Sequence, residues 1–310
     1  MSHDKKLDQA AKAAWLSYVA GLTQDEIAQH MGVSRQTAQR LVAQALSAGI
    51  VRVRIDHPLA RGLELGHRLR DRFGLKICEV TPTEAGLPGI GMAVAALIER
   101  ELSRAEPLTM ALGTGRTLQA GIDQLSRIDC PQHKIVSLTG NIARDGSTAH
   151  YNVLFSMSVF VTARCFPLTV PVIAATAEEC AALQRQPGNA RVIEMARHAD
   201  IALVGIGSLG PDAPLLKDRF LDEAGIAALV ASGGVGEIVG RAYDRNGSYL
   251  PSDGRVASAQ LPTHPGALIV GASFGPSKYE AIAAALRGRM LGGLITDENT
   301  AEWLLGSKAG

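Results

Sequence analysis

Residues 22–49, LTQDEIAQHMGVSRQTAQRLVAQALSAG, predict two short helices joined by a tight turn. Thr23 is placed to cap the first helix and Ser34 the second, because their side-chain oxygens can accept hydrogen bonds from first-turn amides. Gly32 lies between the helices and supplies the positive φ that a tight turn requires. The stretch therefore predicts a helix-turn-helix.

The second helix of this pair has one apolar side and one polar side. Its apolar residues recur at helical spacing at Ala38, Leu41, Val42, Ala45 and Leu46. The opposite side carries Gln and Arg, which reach base edges and phosphates in the major groove. The predicted DNA-binding residues are Thr23, Ser34, Arg35, Gln36, Thr37, Gln39 and Arg40. The alternative is an ordinary helical hairpin with a solvated polar face.

Two flanking segments complete a winged type of helix-turn-helix. Upstream, apolar residues at helical spacing predict a helix that covers the pair. These residues are Leu7, Ala10, Ala11, Ala14, Trp15, Tyr18 and Val19. Downstream, residues 50–55, IVRVRI, alternate apolar and Arg and predict a strand pair or wing. The predicted DNA-binding domain spans residues 1–56.

The charge distribution supports a division into a basic head and a larger body. The chain has 310 residues, 46% of them hydrophobic, which predicts two domains. Its net charge is only +1, which argues against a non-specific nucleic-acid coat. Residues 1–72 hold 11 Lys and Arg against 7 Asp and Glu, whereas residues 73–310 hold 20 against 23. We therefore expect only the head to contact the phosphate groups of a nucleic acid.

The cysteines and the apolar segments exclude several classes of protein. Cys78, Cys130, Cys165 and Cys180 show neither CxxC spacing nor a Cys/His cluster, so no zinc site or disulfide framework is predicted. The polar start and the absence of a long apolar run predict no signal peptide and no membrane association. We therefore expect a cytoplasmic protein without a metal or a cofactor.

The body, residues 57–310, begins with a predicted linker helix at residues 57–73. Pro58 suits the first helical position, and Leu59, Leu63, Leu65 and Leu69 form an apolar stripe. The stripe predicts either a contact between subunits or packing on the chain's own body. Both interpretations remain open at this point.

Short apolar strands then alternate with helices through the rest of the body. The predicted strands are 76–81, 107–112, 134–139, 166–173, 200–206, 237–243, 267–271 and 294–296. The predicted helices are 89–102, 117–125, 153–165, 177–184, 190–199, 221–231, 278–286 and 298–305. This alternation predicts an α/β domain with a Rossmann-like, mostly parallel, doubly wound sheet. Ligands of such sheets bind beyond the carboxyl ends of the strands.

The loop Gly113, Thr114, Gly115, Arg116 and Thr117 follows one of these strands and opens a helix. Glycines expose backbone amides, and Arg116 and the two Thr hydroxyls add donors for a phosphate or for sugar hydroxyls. The loop is neither a Walker loop nor a complete GxGxxG fingerprint. The alternative is a strand-to-helix turn that needs Gly for geometry alone.

Motifs in a fixed order along nearly the whole chain resemble the SorC family of bacterial sugar-responsive transcriptional regulators. They are the helix-turn-helix, GTGRT at 113–117, GIGSLG at 205–210, GEIVGRAYDRNG at 236–247, KYEAIAAALR at 278–287 and LITDE at 294–298. The resemblance implies an effector domain folded like sugar-phosphate isomerases and glucosamine-phosphate deaminases, without their catalysis. It also implies a homo-oligomer, with a tetramer favoured over a dimer, and a double-stranded, palindromic operator.

The resemblance also implies roles for single residues. The GTGRT loop would bind the effector's phosphate or terminal hydroxyls, Glu237 would accept from sugar hydroxyls, and Lys278 would reach a phosphate or sugar oxygen. The alternatives are a surface ion pair for Lys278 and a strand-end acid for Glu237. Asn141 follows Gly140 where the family often has a small residue, and it is placed to bind a hydroxyl. Arg241 and Asp244 are expected to stabilise the turn before Asn246.

Two functions from different classes compete. The favoured one is a DNA-binding regulator of a carbohydrate operon, gated by a sugar, polyol or sugar phosphate, with the phosphorylated form preferred. The rival is an active sugar-phosphate isomerase or deaminase with an added head, which needs an acid/base pair beside the phosphate site. His150, Asp253 and His264 are the only candidates for that pair, and none has a recognisable catalytic context. No catalytic residue and no enzyme activity are therefore predicted.

Overall fold

A computed structural model describes residues 2–51, 60–143, 146–148, 151–218 and 220–307. The chain divides into two compact units, Met1–His57 and Pro58–Gly310. Most of the predicted wing at 50–55, the helix start at Pro58 and the predicted domain border at 56 lie outside the described residues.

The described part of the head, residues 2–51, contains three helices. They are α1 (Ser2–Tyr18), α2 (Gln24–Met31) and α3 (Arg35–Ser47). Their small core is made of Ala10, Ala13, Ala14, Leu16, Ile27, Ala28, Ala38, Leu41, Val42 and Ala45. The core unites all three helices, so α1 holds the α2–α3 pair from behind as predicted.

The face that α1 buries differs from the predicted one. Trp15, Tyr18 and Val19 are exposed, and the buried positions are alanines and Leu16. Leu46, predicted on the buried side of α3, is also exposed. Alanine side chains allow the backbones of two helices to approach closely, so the close contact of α1 with α3 selects the small residues rather than the large ones.

The body is an α/β unit. Its helices are α4 (Ala60–Phe73), α5 (Gly86–Leu102), α6 (Arg116–Ile122), α7 (Val153–Ser158), α8 (Ala177–Arg185), α9 (Pro187–Arg197), α10 (Pro214–Lys217), α11 (Glu223–Ala231), α12 (Tyr279–Arg287) and α13 (Glu298–Gly306). Its strands are β1 (Ile77–Thr81), β2 (Thr109–Leu112), β3 (Lys134–Ile142), β4 (Arg164–Pro171), β5 (Ile201–Gly205), β6 (Gly207–Ser208), β7 (Gly236–Ile238), β8 (Arg241–Tyr243), β9 (Leu268–Ala272) and β10 (Gly293–Asp297).

Seven strands form the central sheet, in the order β1-β10-β9-β5-β2-β3-β4. All six neighbouring pairs are parallel, which confirms the predicted doubly wound α/β class. One core cluster includes residues of α4, α9, α12 and α13, and another includes residues of α5, α6 and α7. The order of the strands reverses between β2 and β5, and ligands of open α/β sheets bind at such a switch point.

The apolar stripe of α4 packs on the body of the same chain. Leu65 and Leu69 are buried in the body core, whereas Leu63 is exposed. Gly62 and Gly66 lie so close to β1 that an added Cβ would be 2.6 Å from the carbonyl oxygen of Val80 and 2.9 Å from that of Cys78, respectively. The two glycines therefore let α4 lie directly against β1, which accounts for a glycine inside the predicted helix.

Two predicted elements have different bounds in the structure. The helix predicted at 153–165 ends at Ser158, because β4 already begins at Arg164. The strand predicted at 237–243 is an antiparallel hairpin, which turns at Val239 (φ 49°) and Gly240 (φ 80°). A sequence without Asn-Gly or Asp-Gly gives no signal for such a turn. The short elements α10 and β6 were not predicted.

The turn after β8 is held by Asp244, as predicted. Its carboxylate accepts hydrogen bonds from the backbone N–H groups of Asn246 and Ser248, each at 2.9 Å. Arg241 does not take part in this turn, contrary to the prediction. Its guanidinium donates instead to the carbonyl oxygen of Ser258 at 3.3 Å.

Candidate functional site

The caps predicted for the helix-turn-helix are present. Thr23 and Glu26 form a capping box, in which the Thr23 N–H donates to the Glu26 carboxylate at 2.8 Å and the Glu26 N–H donates to Thr23 Oγ1 at 3.4 Å. Gly32 has a φ of 66° between the helices. Ser34 Oγ accepts from the Thr37 N–H at 3.2 Å and caps α3. The geometry of the motif thus follows from residues that the sequence identifies.

The predicted DNA-binding residues divide into two groups. Arg35, Gln36, Gln39 and Arg40 are exposed on α3, on the side opposite the head core. Arg35 also makes an exposed ion pair with Asp25 at 3.5 Å. The other three side chains are engaged within the helix caps. The Thr23 hydroxyl donates to the Glu26 carboxylate at 2.8 Å, and Ser34 Oγ and Thr37 Oγ1 are hydrogen-bonded at 2.9 Å. The exposed group therefore provides donors that a base or a phosphate can use, with Arg35 also paired to Asp25.

The loops after β2, β5 and β9 meet at the carboxyl edge of the sheet and border a cavity of about 980 Å³. We call it the effector cavity. Six of the eight predicted effector residues line it: Thr114, Gly115, Arg116, Thr117, Glu237 and Lys278. Because β2 and β5 are neighbours at the reversal of strand order, the cavity lies at the switch point of the sheet.

The GTGRT loop is fixed by its own hydrogen bonds. The Gly113 N–H donates to the carbonyl oxygen of Leu203 at 2.8 Å, and Gly115 has a φ of 119°. The Thr114 hydroxyl donates to the carbonyl of Tyr151 at 2.6 Å, and the Thr117 hydroxyl donates to that of Ala272 at 2.9 Å. Both hydroxyl protons thus bond within the protein, which leaves the hydroxyl oxygens as acceptors; a role of Thr114 and Thr117 toward a ligand stays a prediction.

Glu237 is buried in the wall of the effector cavity. Its Oε2 accepts from the Gly240 N–H at 2.8 Å. A Cβ on Gly207 would be 2.0 Å from Glu237 Oε1, so only glycine leaves room for this carboxylate. Burial raises the pKa of Glu237, while the Gly240 N–H and the charge of Lys278 act in the opposite direction. The acid is therefore a buried, oriented acceptor rather than an exposed strand end.

Lys278 is half-buried in the same cavity. Burial lowers its pKa to about 8; Glu237 opposes the shift, and Arg116 and Lys217 add to it. Arg116 and Lys278 have no ion-pair partner among the described residues, whereas Lys217 pairs with Asp212 at 2.8 Å. Two cations without carboxylate partners therefore face one cavity.

Gly113 and Asn141 lie beside the effector cavity rather than in its wall. Both border a much smaller cavity, together with Tyr151 and Asn152. Asn141 Oδ1 is buried there without a hydrogen-bond partner among the described residues. The ladder between β3 and β4 is irregular around Gly140, which shifts the following residue away from its expected position.

Other residues in the wall were missed by sequence reasoning. They include Thr139, Tyr151, Lys217, Asp218, Phe220 and Ser273. Ser273 directly follows β9, so the rule that sites lie after strands would have found it. Lys217, Asp218 and Phe220 come from the segment around α10, which follows the two-residue strand β6 and carries no local signal.

Two of the three residues considered for a catalytic pair do not border the effector cavity. Asp253 and His264 border a different cavity, and Asp253 pairs with Arg255 at 2.6 Å. His150 lies outside the described residues.

No helix in the described part of the chain is long and apolar enough to cross a membrane. That part also holds no group of three His, Cys, Asp or Glu suited to a metal.

Comparison with known proteins accounts for both units. Residues 57–306 match the model of a putative sugar-binding domain, and residues 13–61 match that of the MarR family. The erythritol catabolism regulatory protein EryD of Brucella abortus is 34% identical over 307 residues, which cover 97% of each chain. The chain belongs to the SorC family of sugar-responsive transcriptional regulators. As a member of this family it is a DNA-binding transcriptional regulator and not an enzyme.

Two further relatives agree with this assignment to the SorC family. The transcriptional regulator LsrR of an Enterobacter species is 31% identical, over 95% of this chain and 92% of the relative. The crystal structure of the full-length sorbitol operon regulator SorC from Klebsiella pneumoniae superposes with a TM-score of 0.73 at 25% identity. That match covers 96% of this chain and 97% of the other. Both the head and the body thus have counterparts in one regulator.

Proposed function

We propose that this protein regulates a carbohydrate operon from the cytoplasm and that a phosphorylated sugar or polyol in the effector cavity gates its DNA binding. The head would comprise residues 1–56 and the effector domain residues 57–310. The observation that supports the proposal most directly is the pairing of free cations, Arg116 and Lys278, with an oriented carboxylate, Glu237, in one cavity.

The cations favour a phosphorylated ligand. Arg116 and Lys278 would form charge-assisted hydrogen bonds with phosphate oxygens, which are about twice as strong as neutral ones. With a neutral solute, the half-buried Lys278 would have only the charge of Glu237 to offset the cost of its burial, and a phosphate would offset more of it. Exposed amides of the GTGRT loop would add donors to the same phosphate.

The carboxylates favour a polyhydroxylated body for this ligand. Glu237 and Asp218 both border the cavity, and carboxylates accept hydrogen bonds from hydroxyl groups. The relatives EryD and SorC are named for erythritol catabolism and for the sorbitol operon, which agrees with a polyol body. A free polyol is the second candidate, because these acceptors would bind it without any phosphate.

Calorimetry distinguishes the two candidates. Erythritol 4-phosphate and sorbitol 6-phosphate would be titrated into the full chain beside free erythritol and free sorbitol, at low and at high salt. The proposal expects the phosphates to bind more tightly and to weaken as salt rises, because screening reduces charge interactions. Tight binding of a free polyol that does not respond to salt would refute the phosphate part.

The affinity for a phosphorylated effector is expected to fall as the pH rises from 7 to 9.5. Lys278, whose pKa lies at about 8, is charged below that value and neutral above it. Binding of an anion stabilises the charged form, so the complex takes up a proton near pH 8 and the affinity falls by up to about tenfold per pH unit above it. Titrations in two buffers with different heats of ionisation measure this uptake. An affinity that stays constant across the range would contradict the role of Lys278.

For the head, we expect Arg40→Ala and Gln36→Ala each to weaken operator binding by roughly 5- to 150-fold. Both side chains are exposed on α3 and would contact bases or phosphates, while the fold and effector binding stay intact. Fluorescence anisotropy on a labelled operator at fixed salt measures the effect. Gln9→Ala, at an exposed position of α1, is the matched control. If Gln36→Ala and Gln9→Ala weakened binding equally, the contact surface would lie elsewhere.

We further propose that the regulator acts as a homo-oligomer, with a tetramer favoured over a dimer. A helix-turn-helix gains specificity when two heads bind two half-sites one or more helical turns apart on a palindromic operator. Light scattering of the full chain at micromolar concentration tests the assembly, and a monomer would contradict it.

A further inference from the structure

The body contains a second large cavity, of about 850 Å³, which the proposed function does not use. We call it the basal cavity, because it is bordered by residues that precede β9 and β10, at the amino ends of these strands. Its other walls come from β8, from α11 and from the loop 249–264. Among the described residues, Gly240 alone borders both this cavity and the effector cavity. The two cavities are therefore distinct.

Most of the wall of the basal cavity is apolar. The larger apolar side chains are Ile173, Leu221, Leu229, Leu250, Pro251, Val256, Leu261, Pro262, Ile269, Met290 and Leu291. A volume of this size is in the range of sites that enclose a small organic ligand. Such a wall binds an apolar body by the hydrophobic effect.

The charged groups of the wall are predominantly positive. Arg241, Arg255 and Arg289 border the basal cavity, and Asp253 is the only acid that does so in the described chain. Asp253 is engaged with Arg255 at 2.6 Å. Arg241 and Arg289 have no ion-pair partner among the described residues. The wall of the basal cavity thus carries two guanidinium groups without a carboxylate partner, Arg241 partly buried and Arg289 exposed.

One nitrogen of the Arg241 guanidinium has no hydrogen-bond partner. Its only described hydrogen bond runs to the carbonyl oxygen of Ser258, and its Nε is buried without any partner. The side chain as a whole is partly buried, and an anion in the cavity would compensate the positive charge of its guanidinium.

Arg289 lies at the C-terminal end of α12, where it borders the basal cavity. Its φ is 53°, its N–H donates to the carbonyl oxygen of Leu286 at 3.0 Å, and the Met290 N–H donates to that of Ala285 at 3.0 Å. These bonds belong to a helix-ending motif with one left-handed residue, so the end of the helix sets this conformation. The Arg289 side chain is exposed, so its guanidinium is accessible to an anion in the cavity.

We propose that the basal cavity binds an amphipathic anion, a small molecule with an apolar body and one carboxylate-type head group. The head group would interact with Arg241 and Arg289. The apolar body would lie against the leucines and Met290. Arginine suits this role because its planar guanidinium binds a carboxylate through two parallel hydrogen bonds.

Decanoate is the probe for the test, with decanol as its uncharged counterpart. Each is titrated into the full chain by calorimetry, and displacement of anilinonaphthalene sulfonate by decanoate gives a second readout. The expected result is that decanoate binds at least about tenfold more tightly than decanol, since only the anion uses the guanidinium groups. Equal binding of the two would overturn the proposal.

Two variants locate the binding in the basal cavity. Arg289→Gln keeps a long polar side chain without the charge and is expected to weaken decanoate binding about tenfold or more. Ala228→Trp places a large ring at an exposed position of the wall on α11 and is expected to abolish binding. Arg245→Gln, at an exposed arginine outside the wall, is the matched control and is expected to leave binding unchanged. Thermal melting verifies that all three variants fold.

The outcomes separate this proposal from its alternatives. If Arg245→Gln weakened binding as much as Arg289→Gln, the probe would be responding to general surface charge. If Ala228→Trp left decanoate binding intact, the site would lie elsewhere. If Ala228→Trp instead lowered the molecular mass measured by light scattering, the cavity wall would be the contact with a second copy of the chain. Each of these three results refutes the small-molecule site.

Discussion

Replacing Lys278 by methionine is expected to weaken the binding of a phosphorylated polyol by about 10- to 150-fold. Methionine retains the length and apolar stem of lysine but removes the charge, and a hydrogen bond to a charged group contributes about 1.5–3 kcal/mol. The unphosphorylated polyol should lose much less affinity, because its hydroxyls also bind neutral acceptors and donors. Calorimetry with both ligands on both proteins measures the difference.

Lys134→Met is the matched control for this substitution. Lys134 is exposed at the amino end of β3, at the edge of the sheet opposite the effector cavity. The substitution Lys134→Met removes the same charge from the body, so its effect on binding measures the general electrostatic contribution of one lysine. Equal losses for Lys278→Met and Lys134→Met would mean that Lys278 makes no specific contact with the phosphate.

Replacing Gly247 by alanine is expected to destabilise the body by about 3 kcal/mol or more. Gly247 has a φ of 77°, and an added Cβ would lie 2.6 Å from both the carbonyl oxygen of Ala284 and the Cα of Gly288. Both contacts are with backbone, which cannot rotate away as a side chain would. A loss of this size lowers the melting temperature of a body of this length by about 6–12 °C.

Gly233→Ala separates the clash from the backbone strain. Gly233 has a similar φ of 88°, but an added Cβ there meets nothing within 4 Å. It therefore suffers only the conformational penalty of about 1 kcal/mol. Calorimetric melting curves of the two variants should differ by about 2 kcal/mol. If the two variants had the same melting temperature, the steric clash of an added Cβ at Gly247 with the end of α12 would not contribute to the loss of stability.

Local signals account for the parts of the molecule that the sequence predicts well. The caps at Thr23 and Ser34 and the turn at Gly32 depend on hydrogen bonds within a few residues, so residue identity alone specifies them. The parallel sheet is also predictable, because strands buried on both faces have continuous apolar runs. The GTGRT loop follows, since it connects a strand and a helix of that pattern.

Long-range packing determines what the sequence does not show. Trp15 and Ala13 lie on one helix with similar apolar character, and only the approach of α3 decides which of them is buried. The hairpin turn at Val239 and Gly240 is invisible because Val is not a turn residue, and its positive φ is imposed by the surrounding structure. The position of Asn141 depends on an irregular ladder between two strands, which no single strand encodes.

The pairing of β1 with β10 has a consequence for synthesis of the protein on the ribosome. Its register joins Ile77 to Gly293, 216 positions later, so the first strand of the body waits for almost the whole chain. Translation at about 5–20 residues per second makes this interval about 10–40 s. The head has its own core within the first 51 residues and can fold during that time. In a nascent chain, α3 can therefore be folded well before β10 is available to pair with β1.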